Sequence, residues 1–176
     1  MNVDQILNDV IRKEGGFVNN PRDSGGATNM GITIGTLSQY YGRRATVDEV
    51  RNLTVETVKE IYTREYVMKP MFHTLPEGVQ AIAVDTGILF GPNKATKFMQ
   101  SIVNQAGFGP VNEDGVLGNL SRSAIFNAFN QMGSYFVDAI VEERIMFHRM
   151  RVQQQPDQEI FLQGWVNRAE TFRINR

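Results

Sequence analysis

The sequence predicts a mainly helical single domain with a minor β element near residues 17–34. Apolar residues recur at helical spacing through most of the chain, and no segment shows convincing period-two alternation. One glycine-rich stretch breaks the helical pattern early. A length of 176 residues suits one domain with a sizeable core, and 41% hydrophobic with 21% charged residues is ordinary for a soluble globular protein.

Ile6, Leu7, Val10 and Ile11 share one face of a first helix over about 4–14, with Asp4 as the expected N-cap and Gly15-Gly16 as the stop. Phe17-Val18 and Ile32-Thr33-Ile34 are candidates for a small sheet around the glycine-rich turn. Ile34, Leu37 and Tyr41 suggest a short helix, and Thr46 to Glu49 (TVDE) reads as a capping box opening another. Val55, Val58, Ile61 and Tyr62 carry a longer helix that must end before Pro70. PEGVQAIAVDTGILFGP is apolar on nearly every side and predicts a buried central helix. Gly91-Pro92 stops it and starts the next, where Ala95, Phe98, Met99, Ile102 and Val103 form the clearest amphipathic stripe. After a loop, Leu120 to Met132 and Phe136 to about Arg151 read as two more helices. Pro156 breaks the second, and GWVNRAETFR ends the chain's helical pattern. The Phe98-Met99 and Phe126-Phe129 stripes are expected in the core.

Composition excludes several classes of function. With no cysteine there is no disulfide, thiolate nucleophile or zinc–thiolate site. A formal net charge of −1, and six arginines against five acids from Glu142 onward, leave no nucleic-acid footprint. The longest nearly uncharged run, residues 78–92, is too short to span a bilayer, so no stable membrane anchor is expected. The N-terminal MNVDQILNDVIRK carries early acids and no long apolar core, unlike a Sec-type signal peptide, which points to a cytoplasmic protein unless something releases it. NEDGVLG has Pro110 where a calcium loop needs its first aspartate, and His73 and His148 lack an acidic pair, so no metal and no cofactor is expected.

Residues 14–33 read EGGFVNNPRDSGGATNMGIT, with five glycines around Glu14 and Asp23. Glu14 in the last turn of a helix faces the negative end of the dipole. Burial beneath the glycine loop would add desolvation, and the two together favour the protonated form that a general acid needs. The alternative is a solvated glutamate that merely precedes a glycine cap. Asp23, in PRDSGG, can be folded back towards Glu14 by two tight turns, giving the carboxylate pair of glycoside hydrolysis; it can equally be an Asx-turn residue. Thr28 and Thr33 can orient a water or cap an amide. Asp85 interrupts a buried run and needs partners, which favours a scaffold role. Trp165 with Arg168 at i+3 can stack on and bond a sugar, or anchor the last helix.

The string from Glu14 to Thr33 resembles the N-terminal signature of glycoside hydrolase family 108, the phage endolysin-type N-acetylmuramidases related to lysozymes. The match falls on Glu14, Gly15, Gly16, Pro21, Asp23, Gly25, Gly26, Thr28, Gly31, Ile32 and Thr33. Residues 84–100 (VDTGILFGPNKATKFMQ) resemble the family's central helix, although Leu89 stands where asparagine is expected. DGVLG at 114–118 and GWVNR at 164–168 resemble its C-terminal segment, often described as a predicted peptidoglycan-binding region. The resemblance implies a lysozyme-like α+β fold, with a catalytic segment over 1–91 and a peptidoglycan-binding-like helical segment over 92–176 packed into the same globular domain. It implies cleavage of the β-1,4 bond after N-acetylmuramic acid, with Glu14 as proton donor and Asp23 and Thr28 near the second carboxylate and the threonine of phage lysozymes. The spacing from Asp23 to Thr28 is one residue shorter than in those enzymes, which leaves open which threonine assists. Gly25, Gly26, Asn29 and Thr33 would line the substrate, with Trp165 and Arg168 as further contacts. Bacterial peptidoglycan is the implied partner. The expected form is a monomeric, lytic endolysin held in the host cytoplasm until release to the periplasm. A non-catalytic peptidoglycan-binding or secretion-accessory protein and a lytic transglycosylase are the alternatives.

Overall fold

The computed structural model describes residues 2–19 and 26–173. The chain divides into two compact units, Asn2–Met68 and Lys69–Arg176.

In the first unit, helix α1 spans Val3–Lys13 and buries Ile6, Leu7, Val10 and Ile11. Its cap is Asn2 rather than Asp4. The Asn2 side chain accepts from the Gln5 amide, while the Gln5 side chain accepts from the Asn2 amide, both at 2.9 Å. Asp4 lies in the first turn instead, where its charge suits the positive end of the helix. It also pairs at 2.5 Å with Lys59 of α4 (Val55–Thr63), linking the two helices. Strands β1 (Thr28–Asn29) and β2 (Ile32–Thr33) form an antiparallel hairpin with Thr28 opposite Thr33, and an isolated bridge adds Val18 opposite Thr28. The minor β element therefore lies where the glycine-rich stretch placed it. Helices α2 (Ile34–Tyr41) and α3 (Val47–Arg51) follow, the latter with the expected Thr46–Glu49 capping box. Helix α4 continues into one π-helical segment, Arg64–Met68.

In the second unit, α5 (Glu77–Phe90) is the buried helix that its all-round apolarity predicts, with Val79 and Ala81 to Gly87 inside. Gly78 lies so close to the ring of Phe129 that any side chain would collide with it. Helix α6 (Pro92–Gln105) begins on Pro92 and buries Phe98, Met99, Ile102 and Val103. Helices α7 (Asn119–Met132), α8 (Ser134–Gln154) and α9 (Glu159–Glu170) complete the unit. Helix α7 buries Ser121, Ala124, Ile125 and Ala128, a true i, i+3, i+4, i+7 stripe. Phe126 falls off that stripe and is 41% exposed, so the expectation that it is core fails at that ring.

Asp85 is 2% exposed and its charge is matched from two helices. Arg144 of α8, fully buried, donates at 2.8 Å, and Arg168 of α9 donates at 2.6 Å. Beside them His148 stacks on Trp165 at 4.7 Å, with Phe90 at 5.0 Å, and neither ring nitrogen has a hydrogen-bond partner. Burial first, then the charges of Arg144 and Arg151, push its pKa from the usual 6.5 down to about 4.

Two stability measurements test this packing. Asp85→Ala strands two arginines, one of them fully buried, and is expected to cost about 3–5 kcal/mol in urea unfolding, whereas replacing Asp85 and Arg144 together by apolar residues should cost much less. For His148 the folded pKa is depressed. Its contribution is therefore complete above the unfolded value of 6.5 and declines as pH falls towards about 4. His148→Leu should flatten the stability curve in that window; an unchanged slope would assign it to other groups.

Candidate active site

Glu14 is the C-cap of α1, with φ −72° and ψ −6°, its amide donating to Val10 at 3.0 Å. The residue is exposed rather than buried beneath the loop that follows. Gly15 then takes φ +76° and turns the chain away from the helix axis. The Val18–Thr28 bridge, closed by two backbone bonds of 2.8 Å, brings the chain back. Its continuation is the β1–β2 hairpin.

The two turn residues of that hairpin are Met30 (φ +47°) and Gly31 (φ +77°). Positive φ at both positions is the type I′ pattern, whose twist matches a tight two-residue hairpin. Gly31 is needed for a second reason. A methyl group there would collide with Tyr62 Oη and lie 3.1 Å from Glu14 Cγ and 3.2 Å from Glu14 Oε2. The hairpin tip thus rests its bare Cα against an acid from α1 and a phenol from α4. Only a residue without a side chain allows the three to converge.

Tyr62 stacks on Tyr66 of the π-helical segment, centroids 5.5 Å apart and planes at 28°. Burial, followed by the nearby charge of Glu14 and then by Tyr66, raises the Tyr62 pKa well above the usual phenol value. Burial, then Glu65, then Glu14, raise that of Tyr66. Both hydroxyls therefore remain protonated at any physiological pH, and that of Tyr62 lies beside Glu14 at Gly31. In the sequence, Tyr62 reads simply as part of the apolar stripe of α4. The available signal was the hydroxyl itself, since a buried phenol needs a polar neighbour.

The other candidates separate into groups. Thr28 is half-buried in β1, and both its backbone groups bond Val18. Thr33 caps α2, its hydroxyl accepting from the Thr36 amide at 3.1 Å. Asn29 is buried, and its amide donates to the Val50 and Arg51 carbonyls at 3.0 and 3.1 Å, tying the hairpin to α3. Gly26 has φ +69° and passes close to Ile34. Asp23 and Gly25 lie outside the described residues. Trp165 and Arg168 belong to the other unit, where Trp165 packs on His148 and Arg168 pairs with Asp85. What the structure brings together is Glu14, Gly31, Tyr62 and Tyr66.

A family model described as Glycosyl hydrolase 108 matches residues 7–91, which contain this whole constellation. A second, described as Predicted Peptidoglycan domain, matches residues 94–170. The solved structure of Brucella abortus SagA is similar to this chain with a TM-score of 0.72 and 31% sequence identity, covering 97% of this chain and 91% of that one. No curated protein matches.

The convergence on Gly31 predicts a sharp contrast between glycines. Gly31→Ala, strained in φ and colliding with Tyr62, should lower stability by about 1–3 kcal/mol. Gly16→Ala, with no heavy atom of the described residues within 4 Å of the added carbon, should stay within about 0.5 kcal/mol of the parent in the same denaturant titration.

Proposed function

The chain belongs to the glycosyl hydrolase 108 family and carries a predicted peptidoglycan domain, which together make it a glycoside hydrolase acting on peptidoglycan; from that premise we propose that it is an N-acetylmuramidase with Glu14 as its general acid. The observation that carries this reading is the meeting of the Glu14 carboxylate and the Tyr62 hydroxyl at the bare Cα of Gly31. An exposed acid held against a buried donor, at the tip of a hairpin, can reach a glycan strand while keeping one orientation.

In the proposed reaction Glu14 gives its proton to the glycosidic oxygen as the bond from C1 of N-acetylmuramic acid breaks. N-acetylglucosamine leaves with a free 4-hydroxyl, and positive charge develops on the muramic acid ring. Asp23 is the proposed second carboxylate, stabilising that charge or taking a proton from the attacking water. Water adds its oxygen to C1 and leaves a reducing end. A carboxylate separation of roughly 6.5–9.5 Å corresponds to inversion, and one of roughly 5–5.5 Å to retention. Thr28 is the proposed assisting hydroxyl, and Gly25, Gly26 and Thr33 the proposed backbone and hydroxyl contacts to the sugar. Tyr62 is a positioning residue in this scheme, its hydroxyl directing one Glu14 oxygen so that the other faces substrate. The proposed setting is a phage or prophage endolysin, held in the host cytoplasm until a holin opens the route to the wall. Among the described residues no helix is long and apolar enough to cross a membrane.

The deciding experiment digests purified peptidoglycan with the parent and with Glu14→Gln, reading products by mass spectrometry. Reducing muramic acid ends from the parent, lowered about a hundredfold or more in the variant, are expected of a general acid. Anhydro ends would make the protein a lytic transglycosylase, and no products from either protein would leave a binding module. Tyr62→Phe should lower kcat about tenfold with KM little changed, the signature of a lost orienting contact.

A further inference from the structure

Helix α7 borders a cleft of about 460 Å³, within the range of ligand sites, lined by Asn119, Arg122, Ser123, Phe126 and Asn127, with Thr74 from the short helix before α5. Two of these side chains offer groups that a ligand could use. Phe126 is 41% exposed and, among the described residues, makes no contact with another aromatic ring, whereas Phe90, Phe98 and Phe147 pack on one another. Arg122 bonds only the Asn119 side chain, and no carboxylate among the described residues compensates its charge. The cleft therefore presents an open aromatic face, an uncompensated cation and several amide and hydroxyl groups on one side of one helix.

That chemistry fits one class of ligand. A pyranose ring offers a face of C–H bonds to an aromatic ring and a rim of hydroxyl and acetamido groups to Asn, Ser and Thr side chains. A stem peptide offers carboxylates, which a guanidinium binds in bidentate fashion. A muropeptide carries both. The cleft's α7 residues also fall inside the segment matched by the predicted peptidoglycan domain. Trp165 is less suited to stacking on sugar, because His148 lies parallel to its ring at 4.7 Å and the Arg151 guanidinium is 5.5 Å from its centroid.

We propose that the α7 cleft is a peptidoglycan-binding site, in which Phe126 stacks on an N-acetylhexosamine ring and Arg122 binds a carboxylate of the attached stem peptide. The inference rests on peptidoglycan being this protein's substrate, and it does not depend on which bond is cut. The site retains the wall strand through contacts separate from the Glu14 constellation. A protein holding both features stays on the wall between cleavages.

The test is a binding titration of the full-length chain with the soluble disaccharide–tetrapeptide GlcNAc-MurNAc-peptide, which lacks the internal bond a muramidase cuts. Parallel arms use the disaccharide alone and the tetrapeptide alone. Phe126→Ala is expected to weaken binding of the disaccharide–peptide about five- to tenfold, the size of a single aromatic contact. Arg122→Gln should weaken the disaccharide–peptide and the tetrapeptide but leave the disaccharide arm unchanged. Phe161→Ala removes a 52% exposed ring on α9 and should change nothing. Unchanged thermal melting in each variant confirms that the fold is intact. Parent-like binding by both cleft variants, loss of binding only in the α9 variant, or no binding by the parent would each overturn the proposal. Failure of the muramidase reading would appear separately, in the digestion products.

Discussion

One buried carboxylate organises the larger unit. Asp85, on the all-apolar helix α5, cannot remain ionised in the interior without matching charge, and Arg144 of α8 and Arg168 of α9 supply it. This fixes the approach of two helices that are distant in sequence. It also commits Arg168, beside Trp165, to Asp85. With α9 anchored, Trp165 comes to lie on His148, which packs neutral beside Phe90. A single acid in a hydrophobic helix thus holds α8 and α9 where His148 and Trp165 stack.

The smaller unit turns on a different constraint, the left-handed backbone at Met30 and Gly31. Met30 takes positive φ despite its side chain, and the adjoining glycine lets the hairpin settle against Glu14 and Tyr62. A helix end, a hairpin tip and the middle of a second helix meet at one point. The acid there is exposed while Tyr62 is buried and Tyr66 half-buried, so the carboxylate is open to a large polymer beside packed rings. The π-helical segment after α4 adds to that packing by setting Tyr66 on Tyr62.

Much of this was legible from residue order. The helices of the described residues follow the apolar pattern, a stripe at i, i+3 and i+4 in α1, α6 and α7 and all-round apolarity in the buried α5. The Gly91-Pro92 boundary and the Thr46–Glu49 capping box are local backbone chemistry and fell where expected. The misreadings share a cause. Asp4 and Asn2 are both good caps, and the choice between them depended on Gln5 reaching back and on Lys59 waiting on α4. Phe126 lies three residues before Phe129, but only the neighbouring helices decide which of the two rings finds a cavity. Tyr62 resembled a core residue because its ring is one; its hydroxyl acquires meaning only beside Glu14.

Sequence alone determined the helical class and the family, because helix stripes, caps and a dense glycine-rich signature are local patterns that survive without coordinates. Tertiary structure decided what each polar side chain faces: that Asp85 binds two arginines, that Asn29 ties the hairpin to α3, that Gly31 is the floor beneath Glu14, and that Arg122 and Phe126 share a cleft. The first three pairings join residues well separated in the sequence, and Arg122 and Phe126, one helical turn apart, meet Thr74 from another element. They depend on helix rotation and on which charges burial forces together, and neither is written in any short stretch of the chain.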